Sequence, residues 1–222
     1  MRADAPRALM TAIVIAIAMS AGLAAPSPAR SQGLLDDFFV AVVNDRVREV
    51  RALVERGIDP DSVDAAGDPA LLAAARAGSE AVVDALLAAG AKPDARNRYG
   101  DTALMVAALG GRFTIARALR AKGAQVRMAG WTPLIYAATG GHDEIVRWLL
   151  GEGAEINAVS PNGTTALMMA VRENRYSTAL LLIERGANVN HRNQNGATAL
   201  DWAKRIDDRE LVERLRRAGA RD

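Results

Sequence analysis

Apolar residues recur along this chain in short paired blocks rather than in one continuous period. Four blocks share one pattern: Val82-Val83 with Leu86-Leu87, Ile115-Ala116 with Leu119, Ile145-Val146 with Leu149-Leu150, and Thr178-Ala179 with Leu182-Ile183. Residues three and four apart share a helix face, so each block predicts a short helix with one buried stripe. An alanine-rich apolar segment precedes each block. In the clearest copy, Thr132-Pro133-Leu134 opens that segment, Gly140-Gly141-His142 closes it, and Gly153-Ala154 follows the second block. Threonine can cap the unpaired N–H groups of a helix start, proline fits the first turn, and a left-handed glycine ends a helix. The unit therefore reads as helix–turn–helix.

The unit repeats. Gly-Ala marks stand at Gly90, Gly123, Gly153, Gly186 and Gly219, with Gly57-Ile58 as a degenerate first copy, in steps of 33, 33, 30, 33 and 33. The opening glycines Gly67, Gly100, Gly130, Gly163 and Gly196 give 33, 30, 33 and 33, the same period with the same defect. Gly130–Ala138 (GWTPLIYAA), Gly100–Ala108 (GDTALMVAA) and Gly163–Val171 (GTTALMMAV) share one opening. This opening and a period near 33 resemble the ankyrin repeat over roughly residues 34–222. The resemblance implies an all-α repeat solenoid of helix–turn–helix units joined by β-hairpin or loop fingers. It has about six repeats including caps: 34–66, 67–99, 100–129, 130–162, 163–195 and 196–222. One departure stands out. The histidine usual after Thr-Pro-Leu is replaced by Leu72, Met105, Ile135, Met168 and Asp201, so the bonds it makes between loops must be made otherwise or omitted.

The ends read as caps. Leu34–Val43 and Val47–Glu55 predict the first helix pair, in which Phe38 and Phe39 cover the open end of the stack. The last repeat is densely charged, as the outer face of a terminal repeat must be to stay in water. The short step lies after repeat three. Nine residues separate Gly90 from Gly100 but six separate Gly123 from Gly130. A finger blunted by three residues opens a notch, with Trp131 directly after it.

Residues 1–29 read differently. A positive start at Met1–Arg7 precedes the uncharged apolar run Ala8–Ala25 and small residues at Ser27 and Ala29, the layout of a cleavable secretory signal. This places the protein in the periplasm or outside the cell, with no stable membrane anchor after cleavage. An uncleaved inner-membrane anchor is the alternative, since about 18 apolar residues just span a bilayer.

Charge and chemistry narrow the function. The net charge of +2 conceals alternation: six acids against one base over residues 58–90, eight bases against two acids over 91–129, and four acids against one base over 130–162. Attraction between neighbouring repeats is one reading, and a basic patch for an acidic partner is the other. Alternation argues against nucleic acid, which needs basic charge along many repeats. With no cysteine, disulfides, thiolate metal sites and a thiol nucleophile are excluded. The only histidines are His142, at a structural position of the repeat, and His191, expected to be exposed in a finger. They do not make a transition-metal site without carboxylates brought in by folding. No nucleophile–base set or phosphate-binding glycine loop is visible, so the chain is expected to be neither an enzyme nor a cofactor carrier.

Function then falls to a surface. In the family it resembles, partners bind the concave side formed by finger tips and first helices. By position this implies Arg98, Tyr99, Asp101, Leu109, Arg127, Met128, Trp131, Thr139, Asn162 and Arg172. Aromatic and arginine side chains dominate interfaces, and Arg98, Tyr99, Arg127, Met128 and Trp131 fall near the short finger. Tyr99 and Trp131 either bind a partner or pack finger against finger. The expected partner is another protein, with an acidic surface facing Arg98 and Arg127. The chain is expected to act as a monomer; an immunity protein that masks a toxin or envelope enzyme is the alternative.

Overall fold

The computed structural model describes residues 28–221, and side chains from residue 33 onward. The predicted secretory segment 1–29 lies outside the described residues except for Pro28 and Ala29. Twelve helices follow in six antiparallel pairs: α1 (Pro28–Val43) with α2 (Val47–Glu55), α3 (Ala70–Ala77) with α4 (Glu80–Ala88), α5 (Ala103–Leu109) with α6 (Phe113–Ala121), α7 (Pro133–Gly140) with α8 (Asp143–Gly151), α9 (Ala166–Arg172) with α10 (Tyr176–Glu184), and α11 (Ala199–Arg205) with α12 (Arg209–Arg217). Helix α1 reaches back to Pro28, the first described residue, beyond the Leu34 expected.

Each hairpin is cut to length by the same two devices. After the first helix one residue turns left-handed: Asp45, Gly78, Gly111, Gly141, Asn174 and Asp207. The next N–H then folds back five residues onto an alanine carbonyl, of Ala41, Ala74, Ala107, Ala137, Ala170 and Ala203 in turn. After the second helix the Gly-Ala mark does the same, with Ala91 on Leu86, Ala124 on Leu119, Ala154 on Leu149, Ala187 on Leu182 and Ala220 on Leu215. This back-bonding satisfies carbonyls that a helix end would otherwise leave unpaired. At the start of the later first helices, Thr102, Thr132, Thr165 and Thr198 accept from the N–H of Met105, Ile135, Met168 and Asp201.

The core is a belt along the stack. The six alanines are wholly buried, as are Leu72, Leu104, Leu134, Leu167 and Leu200 to within 1% exposure. The paired second-helix stripes are buried, except that Leu150 and Ile183 are only half-buried at its edge. Phe38 is fully buried with Phe39 edge-on at 5.4 Å, and α12 buries only Leu211 and Leu215. Both ends behave as caps.

Of the β-hairpin and loop forms expected for the fingers, they take the loop form. Among the described residues they form no strand; single bridges join Val63 to Pro69, Arg96 to Thr102 and Val159 to Thr165. A side chain holds the tip instead. Asp64, Asn97 and Asn193 each accept the N–H groups two and four residues on, and Ser160 accepts that of Thr164. Successive fingers are then joined by rungs in which an Asp or Asn accepts a backbone N–H of the next: Asp61 from Lys92, Asp94 from Gln125, Asn157 from Asn188 and Asn190 from Arg221.

One rung is missing. Counted forward from Asp94, the rung residue of the short finger is Arg127; counted back from Ser160, the tip residue is also Arg127. The three-residue deletion collapses two acceptor positions onto one side chain that has no acceptor. Arg127 Nε donates to the Gly153 carbonyl at 2.6 Å instead, and among the described residues nothing accepts from Glu155 N–H.

Two tests follow from this geometry. In amide hydrogen exchange, Lys92, Gln125, Asn188 and Arg221 should be protected, with Glu155 faster by roughly two- to tenfold, the value of one lost bond. Gly123 is left-handed at φ +97° with open space around a new Cβ, whereas Gly141 (φ +81°) would meet Arg175 Cδ at 2.7 Å. Gly123→Val should therefore cost roughly 1–2 kcal/mol in denaturant titrations, from backbone strain alone. Gly141→Val should cost more, because Arg175 must also move.

Candidate functional site

The fingers and the exposed sides of the first helices form one continuous face, on which the predicted site residues differ in how far they are committed to the fold. Arg98 and Tyr99 sit at the tip of the finger before α5, and the guanidinium lies 5.2 Å from the Tyr99 ring centroid. Tyr99 is 73% exposed, and Leu109, at the end of α5, is 40% exposed. Asn162 and Arg172 are also exposed. Asn162 Oδ1 accepts Thr164 N–H at 3.2 Å, and Arg172 pairs with Glu173 at 2.8 Å.

The others are held by neighbours. The Asp101 carboxylate accepts the Tyr136 hydroxyl. Burial of that phenol, and next its bond to Asp101, raise the Tyr136 pKa well above the ordinary value, so it stays a donor. Thr139 donates back to the Ile135 carbonyl at 2.8 Å, and its own carbonyl accepts from Arg175 Nε at 3.1 Å. Met128 Sδ lies 3.6 Å from Arg96 Nη2.

The short finger does open a notch, of about 330 Å³, lined by Val126, Arg127, Met128, Ala129, Thr132, Glu155 and Ala158. Trp131 is not part of its wall. Its indole is half-buried and packs edge-on against Tyr136, with centroids 5.9 Å apart. Tyr136, five residues on in α7, gives the ring an edge-to-face aromatic partner. Of the set expected near the short finger, Arg127 and Met128 line the notch and Trp131 does not.

Other bonds join successive fingers. Asn97 Nδ2 reaches Asp68 at 2.9 Å, and Gln194 Nε2 donates to the Pro161 carbonyl at 2.6 Å. His191, expected to be exposed, is half-buried with Nε2 at 2.9 Å from the Gly163 carbonyl. Its imidazole spans the gap to the preceding finger, which a finger considered alone does not reveal. His142 has the structural place expected, with Nε2 2.8 Å from the Leu109 carbonyl.

The alternating charges meet across repeat boundaries. Asp61 pairs with Lys92 at 3.0 Å and Arg120 with Glu152 at 2.9 Å. Exposed pairs of this kind contribute little, about 0–1 kcal/mol each. Asp68 is different, being 6% exposed. Burial pushes its pKa up, but the bonds from Arg76 and Asn97 and the charges of Arg76 and Arg98 outweigh this and hold it below the ordinary 3.8.

Sequence reasoning missed Tyr136 and Trp202. They occupy one column of the repeat with Ala73, Val106 and Met169, and aligning the copies by that column exposes the two large rings. Among the described residues no group of three or more His, Asp or Glu could hold a metal ion. No helix there is long and apolar enough to cross a membrane.

Six stacked helical hairpins with short fingers define a repeat solenoid whose face, rather than an enclosed cleft, presents its side chains. The family profile of ankyrin repeats (3 copies) matches residues 38–128, 90–160, 125–193 and 159–221, and the chain belongs to the ankyrin-repeat family. Among solved structures it is similar to the human ASB11 ankyrin repeat domain, with 27% identity, TM-score 0.75, and coverage of 83% of this chain and 84% of that one. It is also similar to an ankyrin repeat domain from Acinetobacter baumannii AYE, with 31% identity, TM-score 0.71, and coverage of 83% and 98%. No curated protein matches it in sequence. Ankyrin repeats are protein–protein interaction modules, and the fold is typically a non-enzymatic binding scaffold.

Asp68 supplies a test by pH. A folded pKa below the unfolded value means the stabilisation is complete above about pH 4–5 and is lost as pH falls through the folded pKa. Asp68→Asn should lower stability at pH 7 by about 1–2 kcal/mol. It should also flatten the acid limb of a stability–pH curve below pH ~4.

Proposed function

We propose that this chain is an exported, non-enzymatic interaction module of the cell envelope that captures a partner protein on its finger-side face, centred on repeats three to five. The observation that carries the reading is the tip at Arg98 and Tyr99. A phenol ring 73% exposed beside a guanidinium is presented by a rigid turn closed by Asn97. Such side chains bury large area on binding at low rotamer cost. Leu109 extends the apolar contact along the end of α5, and Arg172 continues the face toward the last repeat. Export rests on residues 1–29, whose charged start, apolar run and small residues support a cleaved signal.

The decisive variant is Arg98→Ala with Tyr99→Ala. It should leave stability within about 0.5 kcal/mol of the parent yet reduce capture of an envelope protein by about tenfold or more. A photo-crosslinking group at Tyr99 should label that protein, while one at the outer-helix Ala88 should not. Equal capture by parent and double variant would remove this face from consideration. Trp131→Ala is a poorer probe, because losing the contact with Tyr136 should itself cost about 1 kcal/mol. A fusion of residues 1–29 to a phosphatase active only outside the cytoplasm tests export, and an inactive fusion counts against it.

A further inference from the structure

At the far end of the same face the last two repeats enclose an open cavity of about 380 Å³. Its floor is apolar: the half-buried Trp202 ring and Ile206, 39% exposed. Its walls are donors. Arg172, at the end of α9, lies 5.9 Å from the Trp202 centroid, and Arg205 projects from α11 one turn beyond the ring. Asn193 closes the finger side. Its carbonyl oxygen already accepts from the N–H groups of Asn195 and Ala197, so the amide has only N–H left to offer a ligand.

The acids nearby are already engaged. Glu173 holds Nε and Nη2 of Arg172, both at 2.8 Å, which leaves Nη1 for a ligand. Asp201 accepts the backbone and hydroxyl hydrogens of Thr198, both at 2.8 Å. The backbone bond from Thr198 is the largest influence holding its pKa low, with the charges of Arg192 and Lys204 adding to it. Two arginines, Arg172 and Arg205, thus line the apolar floor, and no Asp or Glu is among the lining residues. Planar guanidiniums match a carboxylate through paired N–H bonds, and a stacked guanidinium is already partly ordered before it binds. The floor has no use for a bare phosphate. It suits a bulky apolar side chain, and the cavity lies at the small end of ligand pockets, about 300–1,000 Å³.

We infer that this cavity is a recognition site for an acidic segment of a partner protein, in which an Asp or Glu stands beside a large apolar residue. The carboxylate lies between Arg172 and Arg205, and its apolar neighbour covers Trp202 and Ile206. The inference rests on the interaction-module reading and gives its partner a chemistry.

The test is a titration of the purified protein with two blocked peptides, acetyl-Phe-Asp-Leu-Glu-amide and acetyl-Phe-Lys-Leu-Lys-amide, following the Trp202 indole N–H resonance. The acidic peptide should shift it saturably, with affinity falling as salt rises, and the basic peptide should not. Arg205→Glu, at an exposed position, should weaken the acidic peptide by about tenfold or more and favour the basic one. Arg172→Lys, which keeps the charge and loses the guanidinium stacked on Trp202, should weaken it less. Equal shifts with both peptides, or no response to either variant, would overturn the site. So would tighter binding of inorganic phosphate or duplex DNA, which would make it a phosphate site. Because the peptides are defined, a flat titration removes this cavity while leaving capture at Arg98 and Tyr99 to be judged separately.

Discussion

Six buried methyl groups set the spacing on which the rest of the structure depends. Ala41, Ala74, Ala107, Ala137, Ala170 and Ala203 lie in the first helices, which pack one on the next along the stack, and none has any exposed surface. A larger side chain there would force the helices apart, since protein interiors have almost no free volume to absorb it. The same alanines supply the carbonyls that accept the fold-back bond of every hairpin. Close approach and chain reversal are thus built on one position. With the helices this near, a single Asp or Asn side chain is long enough to bridge successive fingers.

The regularity makes the exception informative. Deleting three residues from one finger removes a tip acceptor and a rung acceptor together, and leaves Arg127 in both places. Its guanidinium reaches the Gly153 carbonyl, so repeats three and four are still tied, but by a long flexible donor in place of a short acceptor. The helices α5 and α7 pack across this boundary through Leu104, Ala107, Leu134 and Ala137, all at or below 1% exposure. The stack therefore continues through the defect, and the cost falls on the polar edge.

Along the finger-side face the side chains divide by what the fold already asks of them. Asp101, Thr139 and Trp131 are tied to Tyr136, Ile135 or Arg175, while Arg98, Tyr99 and Leu109 remain in solvent. Opposite charges on adjacent repeats meet at Asp61–Lys92 and Arg120–Glu152, so much of the charge alternation is spent between neighbours. Around Trp202, Arg172 is paired with Glu173, and Arg172 and Arg205 both line an open cavity. The face is thus graded from structural to available.

The period, the helix pairs, the caps and the blunted finger were legible in the chain because each depends on backbone preferences carried by single residues. A left-handed glycine, a capping threonine or an apolar pair at helical spacing acts within one turn of itself, and recurrence every 33 residues multiplies the signal. Asp45, Asn174 and Asp207 would have been legible in the same way, as stand-ins for Gly78, Gly111 and Gly141. The site was legible only as a list of positions on a face. That Trp131 turns to Tyr136, that His191 spans to Gly163, that Arg127 ends on Gly153 and that Arg172 lies over Trp202 are matters of tertiary structure. Each is a choice among rotamers settled by a partner about 5 to 30 residues away, and one-dimensional spacing holds no information on which way a long side chain points.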